Sequence, residues 1–116
     1  MERWINRAAI VVRPARPYLE WASRLKDDSD DDAAEQTKEL EKHVAVYLVA
    51  EDLSGKEETA PLEQYFKQIF EAELSAWWTD ENDWPQERTL STFQEWFEVA
   101  RESVVTDLAP GSIKHA

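Results

Sequence analysis

Two short apolar runs, Ala8-Ala9-Ile10-Val11-Val12 and Val44-Ala45-Val46-Tyr47-Leu48-Val49, constrain this chain more than any other feature. Both are rich in β-branched residues, carry no charge and show no polar alternation, the pattern of short strands covered on both faces. Something must supply that cover, and the segments around the runs have helical periodicity. Pro17 opens a stretch in which Tyr18, Trp21, Ala22 and Leu25 share one face at 100° per residue, with Glu20, Ser23 and Arg24 opposite. Strand, helix, strand predicts a right-handed crossover between parallel strands, with the acidic stretch from Asp27 to Lys42 as a long return that includes a surface helix over Ala33 to Glu41.

Asp52 to Thr59 reads as a polar turn, and Pro61 begins a helix extending to about Trp78. Its apolar stripe is Leu62, Phe66, Ile69, Phe70 and Trp77, while Glu63, Lys67 and Glu71 follow one another at i, i+4 on the wet side. The polar string from Thr79 to Pro85 is a loop. Thr89 or Ser91 then caps a further helix with Leu90, Phe93, Trp96, Phe97 and Ala100 on its apolar face. Val104 to Leu108 alternates weakly and is expected to form a third, edge strand ahead of Pro110-Gly111. The expected fold class is therefore α+β, a small mixed three-stranded sheet with about three helices in the order β-α-(α)-β-α-α-β. Residues 1–109 are expected to form one domain and 110–116 a loose tail.

Composition narrows the range of functions. The 116 residues include 25 acids, 13 bases, six Trp and no Cys, for a net charge of −12. Abundant aromatics argue for a folded core, and the lack of Cys excludes disulfides and thiolate metal sites. The N-terminus has no signal-peptide core, and the longest strand-like uncharged run, His43 to Ala50, is far below the ~18 residues of a membrane span. A cytoplasmic location follows as the expectation. Charge is uneven along the chain: residues 1–26 sum to +4, 27–58 to −9 and 59–116 to −7. Such a field disfavours nucleic acids and anionic membranes and favours a basic protein partner.

No catalytic constellation stands out. His115 lies in the tail and His43 is alone at a strand start, so neither a Ser-His-Asp set nor a multi-His metal site is available, and two glycines cannot build a phosphate loop. No cofactor is expected. The acidic residues offer one candidate by position: Glu73 falls inside the stripe made by Phe66, Ile69, Phe70 and Trp77, so a carboxylate points at the core. It requires a partner, with Arg88, Arg7 or Arg13 the candidates, or else it marks a pocket that binds a ligand cation or moves a proton. Trp77, Trp78 and Trp84 bracket Asp80 and Asp83; they either complete the core or, with one indole half exposed, form an interface for Arg or Lys side chains. Asp28-x-Asp30-x-Asp32 with Glu39 imitates calcium-loop spacing, although Ala33 stands where the turn wants Gly.

The string Trp77-Trp78-Thr79-Asp80, Trp84-Pro85, Arg88-Thr89, Phe93, Trp96-Phe97, after a Val-x-Leu strand, resembles a set of small acidic bacterial proteins of uncharacterised function. The resemblance implies a bacterial source and no activity. The leading expectation is a non-catalytic interaction module of the inhibitor, immunity or adaptor kind, which binds a basic partner through an acidic, Trp-bearing surface. The alternatives are a small-molecule or enzymatic pocket centred on Glu73 and a calcium-binding loop over 28–39.

Overall fold

The computed structural model describes residues 3–25, 38–50 and 60–115. In chain order these form β1 (Arg3–Trp4), β2 (Arg7–Pro14), α1 (Arg16–Arg24), a helical turn over 38–41, β3 (Ala45–Ala50), α2 (Ala60–Trp77), a 3₁₀ turn (Glu81–Asp83), α3 (Leu90–Trp96), β4 (Phe97–Glu102) and β5 (Thr106–Asp107). The fold is α+β: helices pack on a three-stranded sheet in the order β3-β2-β4, beside a two-stranded β1-β5 ribbon.

Both pairings of β2 are antiparallel, which corrects the expected parallel crossover. Val12 lies opposite Ala45 and Arg7 opposite Ala50, so β3 enters the sheet at the end where β2 leaves it. A connection as long as 15–44 can return to either end, so its length does not determine strand direction. Strand β4 starts at the same end, with Phe97 opposite Pro14.

The third sheet strand is Phe97–Glu102 rather than Val104–Leu108. Helix α3 is capped by Thr89, whose Oγ1 accepts from the Thr92 N–H at 3.2 Å, and it stops at Trp96 instead of continuing to Ala100. Phe97 has extended backbone angles, and the chain passes directly into a ladder along the second edge of β2. That ladder satisfies β2 groups that would otherwise be unpaired. The apolar set Phe97, Val99 and Ala100 fits either period, and the ladder selects two. From the weaker run only Thr106–Asp107 forms a strand, and it pairs with Arg3–Trp4.

The core lies between the sheet and the helices. Ile10, Val12, Phe70, Leu74 and Phe93 are fully buried, and each such side chain contributes roughly 1.5–3 kcal/mol of hydrophobic stabilisation. Rings connect the layers: Phe93 lies 5.6 Å from Phe70 and 5.2 Å from Phe97, while Tyr18 lies 4.9 Å from Phe97. Central β2 buries residues of both its faces, Ala8, Ile10 and Val12 on one and Ala9 on the other. Strand β3 does not. Ala45, Tyr47 and Val49 face the helices, while Val46 and Leu48 face outward, which corrects the expectation that this strand is covered on both sides.

Candidate functional site

Glu73 lies in the buried row of α2 between Ile69, Phe70 and Leu74, and only 5% of its surface is exposed. Its partner is not an arginine. Tyr47, at an inward position of β3, donates its hydroxyl to Glu73 Oε2 at 2.7 Å, and Tyr18 of α1 donates to the Glu73 main-chain carbonyl at 2.7 Å. The three arginines proposed for this role are engaged or placed elsewhere. Arg88 donates to the Pro85 carbonyl at 2.8 Å and lies 5.8 Å from the Trp84 ring centroid, Arg7 donates to the Asn6 carbonyl, and Arg13 is on the exposed side of β2. Among the described residues, no ion pair reaches Glu73.

The two phenols are held protonated. Burial raises the Tyr18 pKa well above its ordinary value, with the Glu73 charge adding to it. For Tyr47 burial again leads, followed by the hydrogen bond to Glu73 and its charge. Both hydroxyls therefore act as donors and not as bases. The group is a polar tie binding α1, α2 and β3 together, and satisfying a buried carboxylate in this way avoids the cost of leaving it without a donor.

The second set of residues singled out from the sequence forms a knot at the end of α2. The Trp77 indole N–H donates to the Ala22 carbonyl at 2.9 Å, a carbonyl at the C-terminus of α1 that also accepts from the Leu25 N–H at 3.2 Å. Trp21 donates to the Asp83 carbonyl at 2.8 Å, Trp78 to Asp83 Oδ2 at 2.9 Å, and Trp84 to the Trp78 carbonyl at 2.7 Å. Asp80 caps the 3₁₀ turn by accepting from the Asn82 N–H at 3.0 Å. Trp84 is buried, whereas Trp77 and Trp78 are half-buried. Asp80, Glu81, Asp83 and Glu87 are exposed around them. The result is an acidic loop fastened by indole hydrogen bonds, with part of the Trp77 and Trp78 surfaces outside.

Tyr47 brings Glu73 beside β3, and Tyr65, earlier on the same helix, accepts from the Ala50 N–H at 3.4 Å. Helix α2 thus runs back along β3, and the Trp loop follows beyond the end where β3 starts. On the outward side of that strand, Val44, Val46 and Leu48 are 45%, 60% and 50% exposed. The sequence reading placed these three among covered residues, and it did not identify Tyr47 or Tyr18 as partners of Glu73. One available signal was the alternation Ala45-Tyr47-Val49, which puts Tyr47 on the side facing α2.

The clefts lined by described residues include two of note. One, of about 590 Å³, is bordered by Ile10, Leu62, Gln94, Phe97, Glu98, Val99 and Arg101; the other, of about 250 Å³, by Lys67, Glu71, Gln86 and Arg88. Glu73 borders neither. The candidate calcium loop falls mainly on residues 28–37, outside the described residues. Among the described residues, no helix is long and apolar enough to cross a membrane. No protein-family model matches the chain, and comparison with curated proteins and with solved structures returns no significant match.

Proposed function

We propose that the chain is a non-catalytic protein-interaction module of a bacterial cytoplasm, of the inhibitor, immunity or adaptor kind, that engages a basic protein partner. The row Val44, Val46 and Leu48 carries this reading. Large apolar side chains aligned on one open strand surface are characteristic of an interface, and β3 is at the edge of its sheet, where a further strand can add. The charge of the segment containing it indicates the type of partner. Residues 27–58, which include β3, sum to −9, and the chain as a whole to −12. A second copy would bring the same negative charge, whereas a partner with apolar residues flanked by Lys and Arg matches both the row and the field. The Trp loop supports the same reading: two of its exposed carboxylates, Asp80 and Asp83, are held by hydrogen bonds before any partner arrives, and the outer faces of Trp77 and Trp78 suit Arg or Lys side chains.

Affinity capture with the intact chain and with a Val46→Lys, Leu48→Lys variant provides the test. Both substitutions face outward, so circular dichroism should match that of the parent. The parent should retain a basic protein, identified by mass spectrometry, that is released as salt rises from about 0.05 M to about 0.5 M and is lost from the variant. Retention of an acidic protein only, or of the same basic protein by parent and variant alike, would overturn the reading.

A further inference from the structure

The 590 Å³ cleft is distinct from both the Glu73 tie and the outward row of β3, and its walls have a definite chemistry. Phe97, Val99 and Arg101 occupy alternate positions of β4 and thus project from the same side of the sheet as Ile10, which lies opposite Arg101. Leu62 at the start of α2 and Gln94 of α3 complete the walls. The site combines an apolar floor with one guanidinium, one carboxamide and, at its wall, the Glu98 carboxylate.

Arg101 is unusual within it. Its Nε is sequestered from solvent and has no hydrogen-bond partner, and among the described residues no carboxylate pairs with its guanidinium. A sequestered donor left without an acceptor is destabilising; Nε is closed to a ligand as it is to solvent, so a carboxylate would meet the guanidinium through its two Nη atoms, which also offer a two-point contact. The cleft volume also lies within the range typical of small-molecule sites.

We infer that this cleft binds a small monocarboxylate with an apolar body, Arg101 taking the carboxylate and Ile10, Leu62, Phe97 and Val99 enclosing the hydrocarbon. The ligand charge follows from two opposing fields. The guanidinium attracts at contact distance, while Glu98 at the wall and the net charge of −12 repel anions, and that repulsion grows with each added negative charge. A phosphate or dicarboxylate is therefore disfavoured relative to a single carboxylate. The apolar walls require a hydrocarbon portion and disfavour acetate or formate.

Hexanoate and the uncharged hexanol are suitable probes, followed by amide chemical shifts of the intact chain. Hexanoate should produce saturable shifts at Leu62, Phe97 and Arg101 and bind more tightly than hexanol. Arg101→Met, which keeps the stem and removes the donors, should weaken hexanoate by about tenfold or more and leave hexanol unchanged. Its thermal midpoint should not fall, because it removes an unsatisfied donor; a lower midpoint would identify Arg101 as a structural element and count against the site. Equal affinity for the two probes in the parent, shifts centred elsewhere, or hexanoate binding indifferent to Arg101→Met would each overturn the inference. Should the Met variant fail to fold, the hexanoate–hexanol contrast in the parent and the response of Arg101→Lys decide: preference for hexanoate, reduced by Lys, supports the site, and loss of either opposes it.

Discussion

At the scale of single residues, the Glu73 tie has a measurable pH signature. Tyr18 and Tyr47 hold their phenolic protons more tightly in the folded chain than in the unfolded one. Their contribution to stability is therefore fully present below the ordinary tyrosine pKa of about 10 and declines as pH rises above it. Above that value the unfolded state binds fewer protons than the native state, so the unfolding free energy should fall by up to about 1.4 kcal/mol per pH unit for each tyrosine. Tyr47→Phe should make this alkaline slope shallower and, at neutral pH, cost about 1–3 kcal/mol by removing a donor from a buried carboxylate. Denaturant unfolding of parent and variant between neutral and alkaline pH checks both; parallel alkaline slopes would contradict the assignment of Tyr47 as the partner of Glu73.

Among the elements, α3 depends most on its terminus. It has seven residues, too few to form a stable helix by itself, and it is held by burial of Phe93 and by the Thr89 cap. The main chain at the end of this helix also anchors α1, since the Trp96 carbonyl accepts from the Ala15 N–H at 2.8 Å. Thr89→Ala should therefore cost about 1 kcal/mol, within the usual range for loss of a cap, and Thr89→Ser should recover most of it. Equilibrium unfolding of the two variants tests this, and equal loss in both would show that the hydroxyl is not acting as the cap. An indole reinforces the end of α1 in a similar way: Trp77 donates to the Ala22 carbonyl, which also accepts from the Leu25 N–H.

For the whole molecule, charge dominates. A chain with net charge −12 repels itself when compact, and among the described residues the ion pair that forms is Arg16–Glu20, an exposed i, i+4 contact of small value. Screening should relieve more repulsion than attraction. The thermal midpoint at neutral pH should accordingly rise as sodium chloride is raised from about 0.01 M to about 0.5 M, across which the Debye length falls from about 30 Å to a few Å. A midpoint that falls with salt would point to favourable ion pairs of greater weight than these contacts provide.

What the sequence determined by itself is local. The row that buries Glu73 follows from the rotation per residue of a helix, Thr89 is legible as a cap because a hydroxyl there reaches a free N–H within the same turn, and the two apolar runs become strands because β-branched residues fit an extended backbone. Tertiary structure decided whatever depended on which distant groups meet. The direction of β3 against β2 was open because the connection is long enough for either. Phe97 to Ala100 satisfied two periods until the edge of β2 offered hydrogen bonds to one of them. The partner of Glu73 could not be read because a tyrosine 26 positions away competes with several arginines on equal terms until the backbone is placed. The exposure of Val46 and Leu48, and the cleft that holds Arg101, likewise arise from the side on which the helices pack, a choice made by the summed burial of the core and encoded in no single segment.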